Sequence, residues 1–341
     1  MKKNESQATA ILNGWEFQYA AALFLLIDNI STYKSVGFEK KEDVVLNRKN
    51  NSIDYAQAKS SSSENEIFDL NHYADIYKSI DTLSKKDHSN CCQSIIIFNY
   101  RNPFGDDRKD FYVGKNYSIL KFENLPEKAK IKISKYVENK KYNIDLNKLY
   151  FYFLSYEIGS EIDALKQRFN EKLSLIDYYA PSKSETILLK WKELLSQNGR
   201  VYKGSVDIST FMGVLFSQLL KDTMSIGEFS RIYNLDLPAS SAQFAAELNR
   251  YFDRKSSSIL VYCKIIGGLI NFINENKIKG YSLSESQIRY VESISEVPED
   301  FSILFKDSCV DKLLLYKLFC CYVIEKQDQL TKIKEVFNYD N

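Results

Sequence analysis

Two short strand-like segments, joined by a turn-like loop, constrain the fold of this chain more than any other feature. The segments are residues 43–47 (DVVLN) and 53–59 (IDYAQAK), and the loop between them, residues 48–52, reads RKNNS. Asparagine tolerates left-handed turn geometry, so the loop predicts a β-hairpin. A turn centred on Asn50 sets Asn47 opposite Ile53, Val45 opposite Tyr55 and Asp43 opposite Gln57.

The predicted register gathers polar side chains on one face of the hairpin. Directly opposed residues share a face, so Asp43 and Gln57 are neighbours there. Lys59 lies two residues beyond Gln57 and therefore points to the same side. The other face of the second strand carries Ala56 and Ala58, which are small enough for a helix to pack closely.

This polar patch has the composition of a hydrolytic metal site. An aspartate and a second oxygen ligand suit Mg²⁺, which keeps several of its waters and takes few protein groups. The peptide carbonyl of Ala58 could add a ligand. A lysine beside the ion can orient or deprotonate water and offset the charge of a phosphorane-like transition state. Metal-assisted phosphodiester hydrolysis needs this set of groups.

The rest of the pattern predicts an α/β domain followed by an all-α domain. Residues 14–30 form an almost uniformly apolar helix, which is typical of a helix buried against a sheet. Strand-like and helical segments alternate up to residue 156, and this order predicts a mixed sheet flanked by helices. From residue 161 the periodicity is helical almost throughout. We expect one domain at residues 1–180 and a helical partner-binding or oligomerisation domain at 185–341.

Composition excludes several classes of protein. The 341 residues carry 46 Lys+Arg against 45 Asp+Glu, a net charge of +1, which excludes a strongly basic, constitutive nucleic-acid binder. The six cysteines lack zinc spacing, and His72 and His88 are the two histidines. No phosphate-loop motif occurs. The sequence contains no signal peptide and no apolar run long enough for a membrane span, so we expect a cytoplasmic protein without membrane association.

The order of three short motifs resembles the PD-(D/E)xK nuclease superfamily. A helix beginning G-x-x-F-Q-x-A-A is followed by E-D and then by a hairpin into Q-x-K. The variant with glutamine in the acidic position is similar to the effector nuclease domain of bacterial antiphage systems: CBASS effectors, the Lamassu nuclease subunit and nucleases paired with HerA-type ATPases. The resemblance covers residues 10–160 and rests on Gly14, Phe17, Gln18, Ala20, Ala21, Glu42, Asp43, Gln57, Lys59 and Ser60.

The resemblance implies a restriction-endonuclease-like fold and a role for each site residue. Asp43 would be the principal ligand of Mg²⁺ or Mn²⁺, and Lys59 the catalytic lysine. Gln57 would hold the place of the acidic residue, as ligand or as an orienting group, and the Ala58 carbonyl would complete the protein ligands. Glu16 or Gln18 on the first helix could supply a further catalytic contact, and Gln18 matches the pattern better. Basic and polar residues around the site would hold DNA phosphates: Lys40, Lys41, Arg48, Lys49 and Ser60.

The implied activity is metal-dependent cleavage of double-stranded DNA, silent until a sensor triggers assembly. We expect an SMC-like or other ATPase partner and a homo-oligomer in the active state, because a two-strand cut needs at least two sites. Near-zero net charge implies weak DNA affinity for a lone subunit. Gln57 motivates an alternative from another class, a non-catalytic DNA-binding or adaptor subunit that keeps the nuclease fold. A scaffold that acts only inside an ATPase complex is a third hypothesis.

Overall fold

The chain folds into two compact units, Met1–Ile208 and Ser209–Asn341. The computed structural model describes residues 2–39, 43–61, 72–101, 103–105, 116–155, 163–176, 181–199, 204–221, 225–238, 241–254, 259–304, 308 and 310–337. Within the described residues, the first unit combines a mixed sheet with helices and the second contains helices, as the sequence predicts. No helix in these parts of the chain is both long and apolar enough to cross a membrane.

The described residues of the first unit form a seven-stranded sheet in the order β5-β6-β4-β3-β2-β1-β7. Strands β3, β4 and β6 run parallel to one another, and the other neighbours are antiparallel. The strands are β1 Tyr33–Glu39, β2 Asp43–Arg48, β3 Ile53–Lys59, β4 Cys91–Phe98, β5 Tyr117–Lys121, β6 Leu149–Leu154 and β7 Ser205–Asp207. The helices of this unit are α1 Lys2–Asp28, α2 Tyr73–Leu83, α3 Glu127–Lys140, α4 Asp163–Ser174 and α5 Pro181–Gly199.

The hairpin register predicted from the sequence is confirmed. Asp43 pairs with Gln57, Val45 with Tyr55 and Asn47 with Ile53. The turn forms as its residues suggest: Asn51 has a positive φ of 64°, and the Asn50 Oδ1 accepts a hydrogen bond from the Ser52 main-chain nitrogen at 3.0 Å. Turn chemistry and strand alternation therefore specify the same register.

Helices cover both faces of the sheet. Helix α1 packs on the face that carries Ala56, where the Tyr19 ring meets Phe38 edge-on with centroids 5.4 Å apart. Helix α2 packs on the opposite face, and its Ile76 and Ile80 share an apolar core with Tyr55 of β3. Because side chains alternate along a strand, Gln57 belongs to this second face, which we call the α2 face.

The first unit extends further along the chain than residue 180. Helices α4 and α5 both pack on α1, and Arg168 of α4 donates through Nε to Asp28 of α1 at 3.0 Å. Strand β7 then pairs with β1. Gly37 permits this close approach, since a Cβ there would fall on the Gly204 carbonyl oxygen and lie 2.9 Å from the Ser205 Cα. Long-range packing therefore moves the boundary to residue 208.

The second unit is a helical domain with an aromatic core. Tyr262 is fully buried, with its ring 4.9 Å from Phe216 and 5.8 Å from Phe319, and its hydroxyl lies 2.6 Å from the Ser217 hydroxyl. The helices are α6 Ile208–Leu220, which begins at the boundary residue, α7 Ile226–Ile232, α8 Ser241–Arg254, α9 Ile259–Glu275, α10 Leu283–Ser293, α11 Glu299–Leu304, α12 Lys312–Glu325 and α13 Gln327–Val336.

Candidate functional site

A row of polar residues crosses three neighbouring strands where β1 ends and β2 begins. Gln57 of β3 is paired with Asp43 of β2, and Asp43 is paired in turn with Glu39 of β1. On its other side Gln57 is paired with Ile96 of β4. The backbone register thus lines up Glu39, Asp43 and Gln57 at one level of the sheet. The sequence prediction omitted Glu39, which a second hairpin register between β1 and β2 would have identified.

Strand β3 continues past the row while its pairing with β2 stops. Asp43 is the first residue of β2, and the β2–β3 pairing ends at Gln57. Ala58 and Lys59 remain paired to Ile97 and Phe98 of β4. Within the described residues, one side of β3 therefore has no strand partner at the position of the predicted carbonyl ligand and the predicted lysine. Residues 40–42, which directly precede Asp43, lie outside the described part of the chain.

The side-chain amide of Gln57 is buried and incompletely bonded. Gln57 is 2% exposed, and its Nε2 has no hydrogen-bond partner among the described residues. An unpaired buried donor costs about 1–3 kcal/mol, so native structures rarely keep one without a purpose. The amide therefore has capacity for a further acceptor, such as a carboxylate, a metal-bound water or a phosphate oxygen.

The donor set at the row fits a hard divalent cation. Asp43 supplies a carboxylate, Gln57 an amide oxygen and Ala58 a peptide carbonyl, all of them oxygen ligands of the kind that Mg²⁺ takes. The unpaired atom of Gln57 is Nε2, a donor, so its partner would be a metal-bound water or a phosphate oxygen and not the ion itself. Among the described side chains, which do not include that of Asp43, no three His, Cys, Asp or Glu residues cluster as metal ligands.

A cleft lies beside the row. It has a volume of about 230 Å³. Val45 and Tyr55, two residues along their strands from Asp43 and Gln57, line it on the α2 face. The cleft and the row therefore adjoin on one surface of the sheet. The described residues that line it are Gly37, Phe38, Val45, Asn47, Ile53, Tyr55, Gly204 and Ser205.

The two residues predicted on the first helix lie on the other side of the sheet from the row. Glu16 forms an ion pair with Lys192 of α5, which joins two helices. Gln18 keeps a buried Oε1 with no hydrogen-bond partner in the described structure. This acceptor and the unpaired Gln57 donor are not bonded to each other. Glu16 is thus paired with Lys192, whereas the Gln18 Oε1 has no hydrogen-bond partner among the described residues.

Of the predicted DNA contacts, Arg48 is held in a partly buried ion pair at the far end of β2 from Asp43. Its Nε donates to both carboxylate oxygens of Asp54 at 2.9 Å, and Tyr33 donates its hydroxyl to the same carboxylate at 2.9 Å. Burial raises the pKa of Asp54, and the hydrogen bond and charge of Arg48 oppose this rise. Lys49 is exposed in the adjoining turn, and Ser60 follows Lys59 directly. Lys40 and Lys41 lie outside the described residues.

A second polar cluster stands at the carboxyl end of β4, on the α2 face. The His72 and Tyr100 rings stack with centroids 3.8 Å apart, and Tyr100 donates its hydroxyl to Asp75 at 3.1 Å. The His72 Nδ1 lies 3.7 Å from the same carboxylate. Contact with His72 and then the Tyr100 hydrogen bond hold the pKa of Asp75 below its usual value. Residue spacing alone does not reveal this cluster.

Comparisons with known proteins establish no family for the chain. No protein-family model and no curated protein matches it. Among solved structures, the Moraxella osloensis Cap4 SAVED/CARF-domain containing receptor is 17% identical, with 59% of this chain and 46% of that chain covered and a TM-score of 0.38. The Acinetobacter baumannii receptor of the same description, solved with the cyclic trinucleotide 2'3'3'-cAAA, is 14% identical, with coverages of 61% and 45% and a TM-score of 0.38. The chain spans less than half the length of these structures.

Proposed function

We propose that the first unit is a restriction-endonuclease-like domain that cleaves double-stranded DNA with Mg²⁺ or Mn²⁺. The observation that carries the proposal is the direct pairing of Asp43 with Gln57, with Lys59 two residues further along the same strand. These three residue types can hold a metal ion and assist water attack in phosphodiester hydrolysis. Ala58 lies between Gln57 and Lys59 on β3, so its carbonyl would be the main-chain ligand of the same site.

Each residue of the proposed site has a separate role in the reaction. Asp43, the Gln57 amide oxygen and the Ala58 carbonyl would hold the ion, which when bound would polarise the scissile phosphate as a Lewis acid. The Lys59 amine orients or deprotonates the attacking water, and its charge offsets that of the transition state. The Gln57 amide nitrogen has no protein partner in the described structure, so it is available to a phosphate oxygen.

The wider role we propose is that of an effector nuclease in bacterial antiphage defence. This part rests on the motif order G-x-x-F-Q-x-A-A, E-D and Q-x-K, which resembles such effectors. A net charge of +1 supports control by assembly, because a lone subunit has little standing attraction to DNA. We assign the second unit to oligomerisation or to binding an ATPase or sensor partner, as in Lamassu.

The test is plasmid nicking by the purified full chain over a range of protein concentrations, with Mg²⁺, with Mn²⁺ and with EDTA. Asp43→Ala and Lys59→Ala should each lower the nicking rate by at least about 10³-fold, since each removes a group that touches the reacting atoms. Asp236→Ala and Lys128→Ala, which change exposed residues of the second unit and of α3, are the matched controls. Wild-type nicking rates in both site variants, with cleavage that still needs metal, would refute the site assignment.

The buried amide of Gln57 favours one other function, that of a DNA-binding adaptor. A neutral amide holds a divalent ion more weakly than a carboxylate does, and a binding subunit needs no turnover. The same assay separates the two functions when it is paired with a duplex-binding measurement. An adaptor would bind DNA and leave it intact with either metal at every protein concentration.

A further inference from the structure

The carboxyl end of β3 is held by a side chain after the strand pairing has ended. The last paired residues of β3 and β4 are Lys59 and Phe98. Asn99 follows, and its Oδ1 accepts a hydrogen bond from the Ser61 main-chain nitrogen at 3.0 Å, while its Nδ2 donates to the Ser61 carbonyl oxygen at 2.8 Å. The Asn99 side chain thus bonds both the main-chain nitrogen and the main-chain oxygen of Ser61, as a neighbouring strand would. It thereby extends the β3–β4 pairing beyond Lys59.

This clamp is rigid because it is buried and anchored. Asn99 is 2% exposed, and the next residue, Tyr100, is fixed by its stack on His72 and its hydrogen bond to Asp75. His72 and Asp75 belong to the start of α2. The end of β4 therefore connects the main chain just after Lys59 to the beginning of the helix on the α2 face.

We propose that Asn99 is a positioning residue for Lys59, an inference that rests on the proposed nuclease function. Lysine has four rotatable bonds, so the direction of its amine depends on a well-fixed main chain. The main chain just after Lys59 is held by the two hydrogen bonds between Ser61 and the Asn99 side chain. Loss of the clamp would let the amine drift from the Asp43–Gln57 row.

The first experiment is Asn99→Ala in the full chain, with kcat and KM for plasmid nicking measured in Mg²⁺. We expect kcat to fall roughly 10- to 100-fold, because a shift of about 1 Å in a catalytic group costs this much, while KM for DNA and the Mg²⁺ affinity stay within about threefold. Asn276→Ala is the matched control: its Nδ2 donates to the Phe272 carbonyl at 2.8 Å in the second unit. It should lose a similar hydrogen bond and keep kcat.

A double-mutant cycle asks whether Asn99 acts through Lys59. If it does, Lys59→Ala combined with Asn99→Ala will be no slower than Lys59→Ala alone, because the residue that Asn99 positions is already gone. The inference would be overturned if the fold-losses in kcat of the two single variants multiplied in the double variant. A kcat for Asn99→Ala equal to that of the wild type would also overturn it.

Asn99→Asp provides a readout that remains informative if the alanine variant folds poorly. An ionised aspartate accepts from the Ser61 nitrogen but cannot donate to the Ser61 oxygen, whereas a protonated one does both. The ratio of the variant's kcat to that of the wild type should therefore rise as the pH falls. Tyr100, Arg101 and Lys59 are the described titratable residues within two positions of Asn99 or Ser61. A ratio that is flat with pH would count against the clamp.

The failure of this inference differs from failure of the proposed function. If Asp43→Ala and Lys59→Ala abolish nicking while Asn99→Ala matches the wild type, only the positioning role is lost. If Asp43→Ala and Lys59→Ala leave nicking intact, the site assignment fails, and the positioning role of Asn99 fails with it.

Discussion

Asp43 of β2 and Gln57 of β3 are directly paired across two antiparallel strands, and beyond this pair β3 continues with no β2 partner in the described residues. Asp43 and Gln57 thus occupy neighbouring positions on β2 and β3, and Gln57 is buried. An isolated Asp or Gln on a strand would be unremarkable. Their pairing beside Ala58 and Lys59 is what supports a metal-dependent hydrolytic site.

The proposed ligand role of Gln57 predicts that Gln57→Glu strengthens metal binding. A carboxylate binds Mg²⁺ better than an amide, so we expect about a tenfold lower Kd, equivalent to about 1.4 kcal/mol. Without metal the same variant buries an unpaired charge at a position that is 2% exposed, so its Tm should fall and then recover more on Mg²⁺ addition than that of the wild type. Calorimetric titration and thermal unfolding measure the two effects.

Gln243→Glu, an exposed change in the second unit, is the control for that experiment. It should alter neither the Mg²⁺ affinity nor the metal-induced rise in Tm. An unchanged Kd in Gln57→Glu would show that the side chain does not meet the ion.

The pairing of Glu39 with Asp43 in the β1–β2 register predicts that Glu39 contributes to Mg²⁺ binding. Two acidic residues at paired positions repel each other, and a bound cation relieves that repulsion. Glu39→Gln should therefore weaken Mg²⁺ binding, by about tenfold if the carboxylate is a ligand. Calorimetric titration gives the Kd, and Glu138→Gln on the exposed side of α3 is the control. Equal Mg²⁺ affinity in Glu39→Gln and the wild type would exclude Glu39 from the site.

The ion pair between Arg48 and Asp54 predicts a structural effect of changing Arg48. Asp54 is fully buried, so Arg48→Met leaves an uncompensated charge and should lower the free energy of unfolding by about 3–5 kcal/mol. Arg48→Met combined with Asp54→Leu should recover much of that loss. Urea denaturation measures both. If Arg48→Met is as stable as the wild type and only DNA binding weakens, the predicted DNA contact would be the better assignment.

Local sequence patterns predicted the hairpin because the relevant interactions are local. The asparagine-rich turn sets the register, and alternation then determines that Gln57 and Ala56 face opposite sides of the sheet. The apolar helix was predicted to pack on the alanine face, and α1 does so. Both predictions depend only on residues within one hairpin and on which of its faces is polar and which carries small apolar side chains.

Local sequence patterns could not predict contacts between residues that are far apart in the sequence. Strand β7 has three residues, too few to show a periodicity, and it joins the sheet through β1, from which it is separated by most of the first unit. The bonds from Asn99 to Ser61 link positions that only the β3–α2–β4 connection brings together. Lys192, the partner of Glu16, lies on another helix, so the sequence could not show that Glu16 is already paired.

The polar cluster at the start of α2 predicts a pH-dependent contribution to stability from Asp75. Its pKa in the folded protein is held below the usual 3.8, chiefly by His72 and then by Tyr100. A depressed carboxyl pKa stabilises the folded state above the unfolded pKa, and this contribution disappears as the pH falls through the folded value. Asp75→Asn should therefore cost roughly 1 kcal/mol at pH 7, the net value of a typical hydrogen bond.

The measurement is urea denaturation of the wild type and Asp75→Asn at neutral pH and at steps below the usual carboxyl pKa of 3.8. The gap between the two free energies of unfolding should narrow as the pH decreases, because the wild-type carboxyl becomes neutral like the amide. Tyr100→Phe removes the hydroxyl donor and leaves the contact between His72 and Asp75. The difference between its free energy of unfolding and that of the wild type should therefore be smaller than for Asp75→Asn, and it should also narrow as the pH decreases. A gap that stays constant with pH would mean that the Asp75 charge does not stabilise the cluster.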